Sequence, residues 1–168
     1  MSSEGTGSVR LIENYGPAWV PGPFERGTVG PRVILTGVDG SRTGLRAGAY
    51  AGGLAQRQNA RLVIVYVAVP GVWTGLGAGT SAAVQEDTFD EAIAEVRGHF
   101  QDRIEEMGIP VTFMVRRGDA FDELRQAAID VHADMVVVGA SEHAGHRLVG
   151  SIATRLVRAG LWPVTVVP

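Results

Sequence analysis

With 168 residues, 45% of them hydrophobic and 20% charged, the chain has the make-up of a soluble globular protein, long enough for one well-buried domain and an appendage. Its formal charge of -3 gives no reason to expect nucleic acid or an anionic membrane surface as a partner. It has no cysteine, which excludes disulfides, thiolate metal sites and cysteine nucleophiles and fits a cytosolic protein; it also has no lysine, which excludes a Schiff base, a lysine general base and a lysine-dependent phosphate loop.

Residues 1–30 are punctuated by Pro17, Pro21 and Pro23 and by Gly16, Gly22, Gly27 and Gly30, with no sustained helical or strand period. They read as an N-terminal arm, with the domain proper spanning 31–168. The arm's Tyr15, Trp19 and Phe24 are unusual for pure disorder, so it docks on the domain or on a second subunit, or else it is a loose tail. No basic start followed by an apolar core precedes it, so no secretory signal is expected. No apolar run approaches the roughly 20 residues of a spanning helix.

From Arg32 a regular alternation begins. Val33 to Val38 is a near-continuous apolar run, the pattern of a strand buried on both faces. Asp39-Gly40-Ser41 turns it into a helix over Arg42 to Gln58, with Ser41 as N-cap. Leu62 to Ala68 is the second strand, and 71–82 a Gly-rich loop containing Trp73. A long helix follows over Val84 to Met107, where Phe89, Ile93, Val96, Phe100, Ile104 and Met107 fall on one apolar stripe. Gly108 and Pro110 end it. Val111 to Val115 is the third strand. Asp119 caps the next helix, which carries Phe121, Leu124, Ala128 and Val131 on one face. The fourth strand is Met135 to Val138, the last helix Ser151 to Ala159 and the fifth strand Val164 to Val167. Strands alternating with helices predict a parallel sheet covered on both faces.

In this order the chain resembles the universal stress protein family, over roughly residues 31–168. The resemblance rests on a set of features: Val38-Asp39-Gly40-Ser41 closing the first strand, Gly118-Asp119, Asp134 to Gly139, Gly150-Ser151 heading the last helix, and Trp162 to Val167. It implies an α/β fold with a five-stranded parallel sheet of order 3-2-1-4-5 and helices on both faces, Rossmann-like or adenine nucleotide alpha hydrolase-like. It also implies a homodimer formed through the C-terminal strand. That strand order reverses the chain between strands 1 and 4 and opens a ligand crevice at their carboxyl ends.

One branch of the family binds ATP through a loop patterned Gly, two residues, Gly, nine residues, Gly, then Ser or Thr. Here Gly139, Gly150 and Ser151 match, Glu142 replaces the second glycine, and only seven residues separate Glu142 from Gly150. Glutamate neither adopts positive φ readily nor admits a phosphate close to the backbone. A carboxylate about 4 Å from a phosphate charge costs on the order of 4 kcal/mol at an effective dielectric near 20, unless it swings into solvent.

Each candidate has two readings. Asp39 contacts the adenosine portion of a nucleotide, as the resemblance implies, or is a turn aspartate before a helix. Val67 offers its backbone to adenine or is an ordinary strand residue. Gly139, Gly150 and Ser151 are elements of an anion site at a helix N-terminus, or a strand end and a helix cap. Arg147 reaches a bound phosphate. His143 and His146 beside Glu142 read as solvated loop residues rather than metal ligands; Arg155 and Arg158 oppose the last helix's dipole. No catalytic or metal-ligating set emerges. The expectation is a non-catalytic stress-response or regulatory module, cytoplasmic and homodimeric, with weak or absent ATP binding and protein partners yet to be found. The alternative is a switch that binds ATP or AMP, with magnesium, in the crevice between strands 1 and 4.

Overall fold

The structure, a computed structural model, describes residues 9–20, 32–69, 82–141 and 150–168, with side chains of the long helix from Phe89 onward. Its elements are β1 (Val9–Tyr15), β2 (Val33–Val38), α1 (Arg42–Gln58), β3 (Arg61–Ala68), α2 (Ala82–Glu106), β4 (Val111–Arg117), α3 (Ala120–Asp130), β5 (Met135–Gly139), α4 (Ser151–Ala159) and β6 (Val164–Val167).

The strands form one six-stranded sheet of order β1-β4-β3-β2-β5-β6. Five of them, β4-β3-β2-β5-β6, are parallel and stand in the order expected from the sequence. The sixth corrects that expectation. Residues 9–15, read from sequence as part of an arm without strand period, form an antiparallel edge strand on β4, running from Tyr15 opposite Val111 to Val9 opposite Arg116, with a bulge between Val9 and Leu11. The reason is legible in the contacts. The inward side of β1 is Leu11, Glu13 and Tyr15, so a charge breaks the apolar alternation. Arg97 of α2 satisfies that charge at 2.8 Å, and the Tyr15 hydroxyl donates to Glu13 at 2.8 Å. A second tie crosses three strands: the Arg61 guanidinium donates to Thr112 Oγ1 at 2.8 Å, and Thr112 donates to Asn14 Oδ1 at 2.7 Å.

Two apolar layers flank the sheet. On one face Ile34, Val38, Leu62, Ile64 and Phe113 pack beneath α1 and α2; on the other Leu35, Val63, Val65, Val136 and Val138 pack beneath α3, α4 and Trp162. The predicted stripe of α2 is the buried one, with Ile93, Val96, Phe100 and Ile104 all under a tenth exposed. It sits close to α1 because α1 presents glycines there: a Cβ on Gly48 would lie 2.5 Å from the Phe100 ring, and one on Gly52 would lie 2.6 Å from the Met107 methyl.

Helix starts follow local chemistry. Ser41 caps α1 by accepting from Gly44 N–H, and Asp119 caps α3 by accepting from the N–H groups of Phe121 and Asp122. At α4 the expectation of a Ser151 cap fails: Gly150 is the N-cap, without a side-chain hydrogen bond, and Ser151 is the first helical residue. No helix among the described residues is long and apolar enough to cross a membrane.

Candidate functional site

Because β2 connects leftward to β3 and β5 lies on its other side, a crevice opens where the chain reverses, at the carboxyl ends of β2 and β5. There the structure has a cleft of about 200 Å³. Val65 and Val67 of β3, Val138 of β5 and Leu124 of α3 give it an apolar floor. Gly37 lets Leu124 descend, since a Cβ at that position would lie 2.9 Å from both Leu124 methyls. Asp39 and Ser41 from the β2–α1 turn, Ser141 after β5, and Gly150 and Ser151 at the head of α4 form the rim. All five residues singled out in the sequence, Asp39, Val67, Gly139, Gly150 and Ser151, line this one cleft.

Local geometry accounts for several of them. Asp39 is exposed, and its Oδ1 accepts from Ser41 N–H at 3.0 Å and from Ser41 Oγ at 2.6 Å. The carboxylate therefore serves the turn and also stands at the cleft rim. Gly44 leaves room for it, because a Cβ there would collide with Asp39 Oδ1. Asp39 is felt deeper in: burial first, then the carboxylates of Asp39 and Glu95, push the Tyr66 phenol above its usual range.

The motif glycines are occupied by the chain itself. A Cβ on Gly139 would lie 2.6–2.7 Å from backbone atoms of Thr43 and Gly44, so the glycine lets the end of β5 meet the first turn of α1. A Cβ on Gly150 would lie 3.1 Å from Ser141 Cβ, so the two ends of the intervening loop meet at its neck. Buried Thr43 locks the same junction by donating from Oγ1 to the Ala140 carbonyl at 2.7 Å.

The outer walls are tied together. Arg155 of α4 lies 4.0 Å over the Phe121 ring and pairs with Asp119 at 3.2 Å. It thus bridges α4 to the N-cap and first turn of α3, and Arg158 stands in the last turn of α4. The backbone N–H of Asp122 above all, with Arg155 and the N–H of Phe121 adding to it, holds the Asp119 carboxyl below its usual range against the opposing effect of burial.

Arg147, Glu142, His143, His146 and Trp73 lie outside the described residues. Among the described residues no group of three His, Asp or Glu side chains could hold a metal ion, and Asp39 is the one ionisable residue among the described residues of the cleft lining. Sequence reasoning missed Val65, Leu124, Thr43 and Ser141. Val65 was accessible, since it shares a strand face with Val67 two residues on. Thr43 carried no signal, because its partner lies 97 residues away.

The sequence model of the universal stress protein family matches residues 31–168, and the chain belongs to that family. Among solved structures it is similar to a universal stress family protein of Burkholderia pseudomallei, at 29% identity and TM-score 0.65, over 82% of this chain and 96% of that one. A universal stress protein solved in complex with cAMP is 27% identical, with TM-score 0.63 over 82% of this chain and 97% of the other. UspA of Lactobacillus plantarum, at 23% identity, shares the fold with TM-score 0.66 over 86% of this chain and the whole of the other. No curated protein matches the chain.

Proposed function

We propose that this protein is a non-catalytic stress-response module, cytoplasmic and homodimeric, whose crevice takes an adenine nucleotide weakly and ATP least well. One observation carries the reading: Asp39, Val67, Gly139, Gly150 and Ser151 converge on a single cleft with an apolar floor. A relative at 27% identity was solved with cAMP, which supports an adenine ligand there. Against tight ATP binding stand the size of the cleft, about 200 Å³ where ligand sites commonly measure about 300–1,000 Å³, and its exposed carboxylate. Arg147 is the proposed phosphate contact, and magnesium would accompany any di- or triphosphate.

The homodimer is proposed to pair β6 with β6 of a second copy. In support, β6 is the outermost strand on its side and all four of its residues are half-buried.

Calorimetry with ATP, AMP and cAMP, each with and without magnesium, tests the ligand. The expected result is binding weaker than micromolar, reduced further by Arg147→Ala. Micromolar ATP binding would favour the second reading, a ligand-gated switch. No heat at millimolar ligand would leave the module without a nucleotide.

A further inference from the structure

We propose that the groove between α1 and α2 binds an amphipathic monocarboxylate, an apolar chain with an anionic head. The groove lies on the other face of the sheet from α3 and α4, and its ligand is independent of any nucleotide.

Shape and lining select the apolar chain. α1 and α2 meet where Gly48 admits the Phe100 ring and Gly52 admits the Met107 methyl. Beside these contacts a groove of about 500 Å³ stays open between the helices, where the crevice at β2 and β5 has about 200 Å³. The larger value lies inside the range of about 300–1,000 Å³ usual for ligand sites. Leu62, Ile64, Phe100 and Ile104 form its base, all under a tenth exposed. A base without polar side-chain atoms takes hydrocarbon and leaves a polar group unpaired. The α1 wall is kept low by Ala49 and Gly53. A Cβ on Gly53 would meet only the tip of Arg57, at 3.2 Å, so the missing side chain is space left open rather than space taken by backbone.

Charge selects the head group. Arg103 of α2 lies on the groove lining, and the Arg57 guanidinium of α1 folds back beside Gly53 on the opposite wall. Arg97, Arg116 and Arg155 are each matched by a carboxylate. Arg57 and Arg103 have neither an ion pair nor a hydrogen bond among the described residues. The His99 Nδ1 donates to the Glu95 carbonyl at 2.8 Å, which leaves Nε2 without a partner among those residues. Glu106 is the single carboxylate on the lining, so two guanidinia outnumber it. A planar guanidinium matches a carboxylate in two parallel hydrogen bonds. Gln56 closes one end of the groove by donating to the Met107 carbonyl at 3.4 Å.

The test uses the whole protein labelled at its methionine methyl groups, titrated with octanoate and, separately, with octanol, which has the same chain and no charge. Met107 lines the groove, and Met114 lies in the core on the opposite face of the sheet. Octanoate is expected to shift the Met107 signal in a saturable way and leave Met114 still. Octanol is expected to bind about fivefold more weakly, the scale of one exposed ion pair. Arg57→Gln with Arg103→Gln, both at exposed positions, should bring octanoate down to the octanol affinity. Ala49→Trp sets a large ring in the mouth from an exposed position and should abolish the shift while thermal unfolding reports an intact fold. No saturable shift of Met107 at millimolar octanoate overturns the site, as does a matching shift of Met114. Octanol binding as tightly as octanoate, or an unchanged octanoate affinity in the double variant, overturns the carboxylate.

Discussion

Two residues show how a side chain's environment sets its role. Gly139 is needed because β5 and the first turn of α1 touch through backbone at its Cα. Gly139→Ala forces those segments apart, and overpacking of this kind costs about 1–3 kcal/mol. Urea denaturation should show that loss, and an unchanged midpoint would mean that the contact yields cheaply. Asp119 is an N-cap with a depressed pKa, caused first by the N–H of Asp122. Such a group binds a proton more readily in the unfolded chain. Its contribution is therefore present above the unfolded value near 3.8 and disappears as pH falls through the lower folded value. Asp119→Ala is expected to lose about 1 kcal/mol at neutral pH, as removed caps typically do. The gap between variant and wild type should close in strong acid; a gap independent of pH would point to packing against Arg155 and Phe121 instead.

At the scale of elements, the instructive pair is α1 and β1. The bounds of α1 are those read from sequence, because everything that specifies it is local: an Asp-Gly-Ser turn, a serine whose Oγ receives Gly44 N–H, and a run of small residues. β1 escaped because its determinants are distant. Its inward charge is answered by Arg97 and its Asn14 by Thr112, 84 and 98 residues along the chain. The same divide runs through the site. Asp39, Gly139, Gly150 and Ser151 were legible at the ends of recognisable elements. Leu124 and Thr43 were not, since each reaches the cleft only through a tertiary contact. The Ser151 cap misled because serine and glycine both suit that turn, and the chain chose Gly150. If the Arg61–Thr112–Asn14 tie secures β1, then Thr112→Val removes both of its hydrogen bonds, at a net cost of about 0.5–1.5 kcal/mol because exposed Asn14 can turn to water. Hydrogen exchange should report it as lost protection in residues 9–15 beyond that in β2; uniform loss across the sheet would mean that the tie serves the whole core.

For the whole molecule, the two outer strands are unlike. β1 carries a bulge, a charged pair to α2 and Arg10 stacked 5.7 Å from the Phe89 ring, devices that blunt an edge. β6 has four residues, three of them valine. Its inner hydrogen bonds include the Pro163 and Val167 carbonyls, so the alternation of a parallel ladder turns the N–H groups of Val164 and Val166 outward. Val166→Pro removes one outward donor without touching the ladder. If β6 is the dimer seam, light scattering should find this variant monomeric and still folded; a persistent dimer would move the seam elsewhere. The sealed margin at β1 then matters as much as the open one. A sheet with two receptive margins recruits neighbours without end and grows toward a fibre. One with a single receptive margin is used up by its first partner, so the length of the assembly is written into the seven residues farthest from where it forms.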